Sequence, residues 1–360
     1  MIVALDSTPL TVPTGGIARY TLELTRALAR EYPEDRYWLL SDQEISIDDQ
    51  SQPSNVFVGS RPTNIADRRW WLWGLNREMQ RHGVELFHGT DFSVPYMSRR
   101  PSVMTIHDLS PWREDVGWQP AADRIRKRTP RLLRLGLATM VITPSEAIRR
   151  EVMERFEVAG DRVVAVPLAA SDYFRPAKAG DKSARSYFLF VGTLEPRKNV
   201  ERMIEAWREC RKQYEVDLVI AGRLRSDFAA PPPESGLGLI GAVPDADLPG
   251  LYSNAVACVY PSLYEGFGLP VLEAMQCGAV VITSRDPAIV EVTGGGDCAI
   301  HVDATDVRQL TEAMCAIAAG PERFEELRAR ALHRAAQFSW SATARHTREV
   351  YVEATRRTKA

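Results

Sequence analysis

The stretch Ala257–Gly278 reads ACVYPSLYEGFGLPVLEAMQCG. Its first four residues are typical of a buried strand, Pro270 suits the first turn of a helix, and Gly278 suits that helix's end. The glycines between strand and helix let the backbone approach a ligand closely with its N–H groups exposed. Glu273 can accept hydrogen bonds from both hydroxyls of a sugar diol such as a ribose, and Glu265 faces the same opening. We interpret this stretch as a phosphate- and sugar-binding turn; a helix-start acid beside a surface acid is the alternative.

A second strand, turn and helix of this kind lies upstream. The apolar strand Tyr187–Val191 runs into Gly192-Thr193-Leu194-Glu195-Pro196-Arg197-Lys198-Asn199, and a helical pattern follows. Asn199 is a good N-cap, so we expect Arg197 and Lys198 at the positive end of a helix, where cations are disfavoured. An anion bound at the same place would explain both side chains. A solvated basic turn is the alternative interpretation.

Short apolar runs alternate with helical patterns along the whole chain, which indicates parallel sheets covered on both faces. A small, polar segment between Pro167 and Ser186 predicts a domain boundary. We therefore predict an α/β protein with two facing, doubly wound, Rossmann-like domains, over 1–170 and 171–340, and a last helix over 341–360. Ligands should bind in the cleft between the domains, at the strand ends. The expected strands are Ile2–Asp6, Tyr37–Leu40, Val56–Val58, Leu86–His88, Val103–Ile106, Met140–Thr143, Tyr187–Val191, Val216–Ala221, Leu237–Ile240, Ala257–Tyr260, Ala279–Thr283 and Ala299–Val302.

The composition is that of an ordinary globular protein, with 360 residues, 45% hydrophobic residues and a net charge of -2. This charge argues against a nucleic-acid-binding protein. The first residues lack the pattern of a signal peptide, and no apolar run reaches the ~18 residues of a membrane span. The cysteines are odd in number and lack a C-x-x-C spacing, so we expect reduced, buried thiols in a cytoplasmic protein. They are Cys210, Cys258, Cys277, Cys298 and Cys315.

Two further motifs are interpreted as decoys. Gly236–Gly241 matches the dinucleotide pattern G-x-G-x-x-G, but its apolar residues are typical of a strand, and Pro244 follows where a helix should open. Asp245-Ala246-Asp247 resembles a metal-binding D-x-D pair, but we expect it to cap the next helix. The histidines show no ligand spacing, so we predict no metal site.

The run from Tyr260 to Gly278 resembles the Glu-x7-Glu signature of the retaining family 4 glycosyltransferases, which have the GT-B fold. The run Gly192–Asn199 resembles the diphosphate loop of the same family. Weaker similarities extend over most of the chain in the family's order: Gly15-Gly16-Ile17, Thr105-Ile106-His107-Asp108, Thr143-Pro144-Ser145-Glu146 and Ile240-Gly241-Ala242-Val243.

The resemblance implies a role for each matched residue. Many family members carry an arginine after the glycine of the diphosphate loop, and here Thr193 leaves the phosphate charge to Arg197 and Lys198. The implied site comprises His107 and Glu265 at the donor sugar as catalytic residues; Arg197, Lys198 and the amides of Phe267, Gly268 and Leu269 at the diphosphate; Glu273 at the ribose; Gly15 and Gly16 at the phosphate or acceptor; and Val243 in the nucleobase region.

The activity implied is a metal-independent, retaining transfer of a hexose from a nucleotide-diphosphate sugar to a glycan, glycolipid or lipid-linked acceptor in polysaccharide or lipopolysaccharide assembly. No cofactor is expected beyond this co-substrate. The Glu-Pro-Arg-Lys-Asn loop resembles that of bacterial mannosyl- and rhamnosyl-transferases and favours a GDP-linked donor. A nucleotide-sugar epimerase of the same fold and a non-catalytic nucleotide-sugar-binding subunit stay open.

The basic stretch Arg124–Arg134 contains leucines, and Trp70, Trp71 and Trp73 follow two arginines. A basic helix with aromatic anchors can bind an anionic bilayer, as the family's lipid-linked acceptors would favour. Two interpretations stay open: a solvated helix with a tryptophan cluster in the core, and peripheral contact with the cytoplasmic face of the inner membrane.

Overall fold

The computed structural model of the protein describes residues 1–11, 15–45, 52–64, 67–113, 123–177 and 185–359. Of the predicted boundary segment, residues 178–184 lie outside the described residues. The described residues form two compact units. Unit 1 holds their part of 1–112, 123–168 and 339–359, and unit 2 holds Arg113 and their part of 169–338.

Each unit is built on one fully parallel sheet. The sheet of unit 1 has the order β3-β2-β1-β4-β5-β6-β7, and that of unit 2 has the order β10-β9-β8-β11-β12-β13. The strands are β1 (Ile2–Asp6), β2 (Arg36–Leu40), β3 (Val56–Val58), β4 (Leu86–Gly89), β5 (Ser102–Thr105), β6 (Met140–Thr143), β7 (Val163–Ala165), β8 (Tyr187–Val191), β9 (Asp217–Ala221), β10 (Leu237–Gly241), β11 (Ala257–Tyr260), β12 (Val281–Ser284) and β13 (Ile300–Val302).

Helices form most of the connections between successive strands, because parallel strands need long crossovers, but β4–β5 and β9–β10 are joined by segments without an α-helix. The last helix packs against the first helix and against β5 and β6 of unit 1. The helices are α1 (Gly16–Glu31), α2 (Leu75–Arg81), α3 (Asp123–Arg134), α4 (Glu146–Phe156), α5 (Val200–Arg211), α6 (Leu248–Asn254), α7 (Leu269–Gln276), α8 (Pro287–Val292), α9 (Val307–Ala319), α10 (Glu325–Ala335) and α11 (Trp340–Lys359).

Every predicted strand is present, although some ends move by one or two residues. The β12 strand begins at Val281 rather than Ala279, because the backbone just before it terminates α7. Gly278 is left-handed there (φ 74°), and Ala279 N–H donates to the Ala274 carbonyl over 2.9 Å. The edge strand β7 was not predicted; it is only three residues long and directly precedes the expected boundary. The run 236–241 contains strand β10, as its apolar residues predict.

Strands such as β4, β6 and β11 are buried along their whole length and form the cores of the two units. Helix α1 buries Tyr20, Leu24 and Leu28, which recur at the spacing of one helical face. The cysteines are free thiols, four of them buried and Cys315 half-buried.

Candidate functional site

The strand order of unit 2 indicates at which edge of its sheet a ligand would bind. Strands β8 and β11 are neighbours, although two strands lie between them in the sequence, so the order reverses at this pair. Open parallel sheets bind ligands outside the carboxyl ends of the strands at such a point. The loop after β8 carries Arg197 and Lys198, and the loop after β11 carries Glu265.

These two loops are joined by a buried ion network. Lys198 Nζ donates to Glu265 Oε1 over 2.5 Å, and Arg197 Nη1 donates to Glu265 Oε2 over 3.0 Å. Lys198 also donates to the Tyr260 hydroxyl over 2.5 Å, and that hydroxyl donates to Glu265 Oε1 over 3.0 Å. The side chains of Lys198 and Glu265 are each only 8% exposed. The network brings together three residues that the sequence predicted at the diphosphate and donor sugar.

The charges of this network depend on one another. Burial would raise the pKa of Glu265, but Lys198 and Arg197 outweigh it and lower that pKa to about 2. Burial and the neighbouring Arg197 lower the pKa of the Lys198 ammonium, and Glu265 opposes that effect. Glu265 is therefore ionised throughout the physiological range and helps to keep Lys198 charged. A carboxylate paired with two cations suits electrostatic stabilisation better than nucleophilic attack.

The loop after β8, residues 192–199, is called the cationic loop below. Its backbone is also held in place by residues outside the loop. Leu263 N–H donates to the Arg197 carbonyl over 2.8 Å. Asn199 is left-handed (φ 58°) at the start of α5, and its side chain makes no cap bond, contrary to our expectation. The amide instead donates to the carbonyls of Pro261 (3.2 Å) and Ala304 (2.6 Å) in the loops after β11 and β13. Asn199 therefore fixes Lys198 against neighbouring strand ends rather than capping a helix.

The glycine-rich turn after β11 has the predicted form. Gly268 is left-handed (φ 97°) directly before α7, and Pro270 lies in the first turn. The first amides of a helix have no partner within it, so the amides of Gly268 and Leu269 are placed to meet an anion. Phe267 is buried, with its ring edge-to-face on Phe338 at 5.9 Å.

Glu273 lies one turn into α7 and is only 2% exposed. Its Oε2 accepts a hydrogen bond from the hydroxyl of Tyr252, a fully buried residue of α6, over 3.0 Å. The carboxylate is thus held in one orientation, as recognition of a diol requires. Its contact with a ribose stays a prediction.

Comparisons with known proteins show the family to which the chain belongs. The family model described as Glycosyltransferase Family 4 matches residues 14–170, and that described as Glycosyl transferases group 1 matches residues 174–335. O-antigen chain mannosyltransferase B of Escherichia coli is 31% identical, over 98% of this chain and 99% of that protein. The chain belongs to glycosyltransferase family 4.

Two further similarities accompany this one. O-antigen chain mannosyltransferase RfbU of Salmonella typhimurium is 27% identical to this glycosyltransferase, and the match covers 73% of the present chain and 74% of RfbU. The structure of sucrose-phosphate synthase from Thermosynechococcus elongatus superimposes with a TM-score of 0.77 over 98% of both chains, at 18% identity. The glycosyltransferase has the GT-B fold, as predicted.

In unit 1 of the glycosyltransferase, His107 follows β5. Its Nε2 donates to the Thr90 carbonyl over 2.7 Å. The imidazole ring of His107 packs edge-to-face with the ring of Tyr20. Burial lowers the pKa of His107, although Thr90 and Asp108 oppose the effect. The imidazole is therefore neutral at physiological pH, with Nδ1 as a hydrogen-bond acceptor. By contrast, His88 is a fully buried core histidine.

The remaining predicted positions are distributed over both units. Gly15 has φ 141° directly before α1, and a Cβ on Gly15 or Gly16 would meet no atom of the described residues within 4 Å. Val243 lines a cavity of about 610 Å³ in unit 2 with Tyr187 and Asp217. The lining of this cavity includes both ends of the strands, since Tyr187 and Asp217 begin β8 and β9, whereas Val243 follows the carboxyl end of β10.

Several residues of the site escaped the sequence reasoning. Tyr260 and Tyr252 look like core aromatics in the sequence, and only the fold shows that their hydroxyls bind Glu265 and Glu273. Asp286 Oδ2 accepts from the Glu265 backbone N–H over 3.2 Å, and burial raises the pKa of Asp286 to about 6. Glu195 lies in the loop after β8, and the sequence alone indicates no role for it.

The structure also bears on the Asp245-Ala246-Asp247 motif and on metal binding. Asp247 directly precedes α6 but makes no side-chain cap bond, contrary to our expectation, and Asp245 accepts from the Tyr173 hydroxyl over 3.1 Å. Within the described residues, no group of three or more His, Cys, Asp or Glu side chains is arranged to hold a metal ion. No helix in the described part of the chain has the length and apolar character needed to cross a membrane.

Proposed function

We propose that this glycosyltransferase moves mannose from a GDP-linked donor to a glycan or lipid-linked acceptor in the assembly of a cell-surface polysaccharide. The observation that carries the proposal is the pair Arg197 and Lys198, held by Glu265 at the carboxyl ends of β8 and β11. The names of the two bacterial O-antigen mannosyltransferases support mannose and polysaccharide assembly.

In the proposed step, the bond between the anomeric carbon and the β-phosphate oxygen breaks. The acceptor oxygen forms the new glycosidic bond on the same face, which retains the configuration. The acceptor proton passes to the departing phosphate oxygen, so the products are a nucleoside diphosphate and a glycoside. Negative charge grows on the diphosphate as the bond breaks, and Arg197, Lys198 and the first amides of α7 stabilise it.

Glu265 acts electrostatically in this scheme. It keeps the buried Lys198 charged, and beside the donor sugar its negative charge would stabilise a developing cation. His107, as a neutral imidazole, can accept a hydrogen bond from a sugar hydroxyl through Nδ1. With two preorganised cations, the step needs no metal ion. A Glu265→Ala enzyme with undiminished turnover would contradict this role.

Donor binding is tested with a thermal-shift panel of nucleoside diphosphates and their sugars. A ligand at a hundredfold excess over its Kd stabilises the fold by about 2.7 kcal/mol. GDP and GDP-mannose should give the largest shifts. Lys198→Gln and Arg197→Gln should each weaken binding at least ~100-fold, since each removes a charge-assisted contact. Lys212→Gln, which changes an exposed lysine of the same unit, is the control. Wild-type affinity in Lys198→Gln would mean that the phosphate binds elsewhere.

Turnover is tested by NMR with GDP-mannose and candidate acceptor glycans, in the presence and absence of EDTA. The expected product is an α-mannoside that forms equally well with the chelator. Donor converted to an isomeric sugar nucleotide without acceptor would indicate an epimerase. Binding without any turnover would indicate a non-catalytic subunit.

We also propose peripheral contact of α3 with an anionic membrane. Arg124, Lys127, Arg131 and Arg134 are exposed at steps of three and four residues, so they share one helical face. Arg128 is excluded from that face, because its guanidinium lies over the Trp71 ring at 4.7 Å. Trp70 is buried and Trp73 is 47% exposed, so the tryptophans divide between core and surface.

The membrane proposal predicts sedimentation with phosphatidylglycerol vesicles at low salt but not with phosphatidylcholine vesicles. Changing the four exposed basic residues of α3 to glutamine should abolish it, at about 1 kcal/mol per charge. Arg155→Gln, on α4, is the matched control. Absence of wild-type sedimentation at low salt would refute the proposal.

A further inference from the structure

A second carboxylate, Glu195, lies inside the ion network and has no role in the proposed transfer. It is 4% exposed and lies between two arginines. Its Oε1 is 2.9 Å from Arg197 Nη2, and its Oε2 accepts from Arg225 Nη1 over 3.1 Å. Arg225 itself is 16% exposed, and its Nε donates to Asp227 at the surface. A buried carboxylate beside a diphosphate would repel it unless cations compensate its charge.

Arg225 belongs to the loop after β9, the strand next to β8, and that loop is held firmly against the cationic loop. Leu194 N–H donates to the Arg223 carbonyl over 2.8 Å, and Arg225 N–H donates to the Leu194 carbonyl over 3.2 Å. A Cβ on Gly222 would lie 1.8 Å from the Gly192 carbonyl oxygen, so glycine is required where the loops meet. The backbone of Arg225 is therefore fixed relative to Glu195.

The charges of the network show what Arg225 contributes. Its buried carboxylates, Glu195 and Glu265, balance the positive charges of Arg197 and Lys198. Arg225 adds a third positive charge, so these five groups carry a net charge of +1; Asp227, which Arg225 contacts at the surface, is 50% exposed and its charge is screened by solvent. An excess of positive charge in a low-dielectric site is what attracts a diphosphate.

We propose that Glu195 and Arg225 are positioning residues for the donor diphosphate. Glu195 orients the Arg197 guanidinium through Nη2, while Nη1 contacts Glu265. Arg225 compensates Glu195, so that this carboxylate does not repel the bound phosphate. The proposal rests on the proposed function, because it assigns these residues to the same donor site.

The test is calorimetric titration of the full chain with GDP at low salt. Arg225→Gln should lower the affinity for GDP at least tenfold, because Glu195 is then uncompensated. The double variant Arg225→Gln/Glu195→Gln should recover most of the loss, because it removes the repelling carboxylate too. A merely structural role for Arg225 predicts no such recovery. Arg208→Gln, which breaks the Arg208–Glu234 ion pair of the same unit, is the control.

Each outcome has a distinct meaning. Arg225→Gln with wild-type affinity, or a double variant no better than the single one, would overturn this proposal while the donor site stands. A wild-type chain that binds neither GDP nor any other nucleoside diphosphate would overturn the proposed function itself. If Arg225→Gln does not fold, Arg225→Lys replaces it: the charge is kept, so affinity within threefold of wild type is expected, and a tenfold loss would refute compensation by charge.

Discussion

Asp91 follows β4 at the carboxyl edge of the unit 1 sheet. Burial, with the neighbouring Asp6 and Asp108, raises the pKa of Asp91 to about 7. Among the described residues, its Oδ1 is buried without a hydrogen-bond partner. Burial likewise raises the pKa of Asp6 to about 6. The folded protein thus holds protons here that the unfolded chain has already released.

This difference predicts how stability changes with pH. Between about pH 4 and pH 7 these two carboxyls bind more protons in the folded state than in the unfolded state, so their contribution to the free energy of unfolding falls as the pH rises. Asp91→Asn should flatten that fall and make the protein more stable than wild type at pH 8, by on the order of 3 kcal/mol. Urea denaturation at several pH values measures the effect, with Glu154→Gln on α4 as control. Parallel pH profiles for wild type and Asp91→Asn would contradict it.

At the scale of the element, the connection from β8 to α5 depends on Asn199. Its left-handed backbone suits asparagine and glycine but strains most other residues. Its buried amide links the strand ends of β11 and β13, and its Oδ1 accepts from Arg202 Nη1 over 2.8 Å. Backbone and side chain therefore contribute separately to the same turn.

Two substitutions separate these contributions. Asn199→Ala loses the buried hydrogen bonds and adds left-handed strain, so we expect a loss of about 3–4 kcal/mol in the free energy of unfolding. Asn199→Gly loses the same bonds without the strain and should be less destabilised, by about 1 kcal/mol. Chemical denaturation followed through the buried Trp207 of unit 2 measures both. Equal losses would mean that the conformation at residue 199 carries no strain.

The sequence predicts the helices and strands well, but it predicts the hydrogen-bond partners of their side chains poorly. Strands such as Ile2–Asp6 and the turn at Gly268 were predicted correctly, because apolar runs, glycine and proline act over a few residues. The role of Asn199 was not, since its partner Ala304 lies 105 residues away. Arg225 is 30 residues from Glu195, and only the pairing of β8 with β9 brings them together. The cationic residues could be proposed from the sequence, but not the network that orients them.

At the scale of the whole molecule, the last helix belongs to the first unit. Tyr351 of α11 shares a hydrogen bond of 2.7 Å with His88 Nδ1, and His88 Nε2 shares one of 2.7 Å with Thr105 Oγ1. The Thr105 hydroxyl is in turn 2.9 Å from that of Tyr20 on α1. Burial lowers the pKa of His88 to about 3, so this buried chain contains a neutral imidazole.

Tyr351→Phe should destabilise unit 1 by about 1–3 kcal/mol, because it leaves a buried nitrogen of His88 without a partner. Hydrogen–deuterium exchange should speed up in β4, β5 and α11 and stay unchanged in the strands of unit 2. Tyr214→Phe, in unit 2, is the control. Unchanged exchange in α11 would show that the bond to His88 does not stabilise the helix.

The place of α11 in the chain also sets an order of events on the ribosome. Roughly 170 residues, most of them belonging to unit 2, are synthesised between the body of unit 1 and Ser339. At typical elongation rates this interval lasts on the order of 10–30 s. Throughout it, the surface of α1, β5 and β6 that α11 covers is exposed on the nascent chain. Unit 2 can finish folding in that time, whereas unit 1 reaches its final form only after α11 has been made and until then offers a binding surface to chaperones.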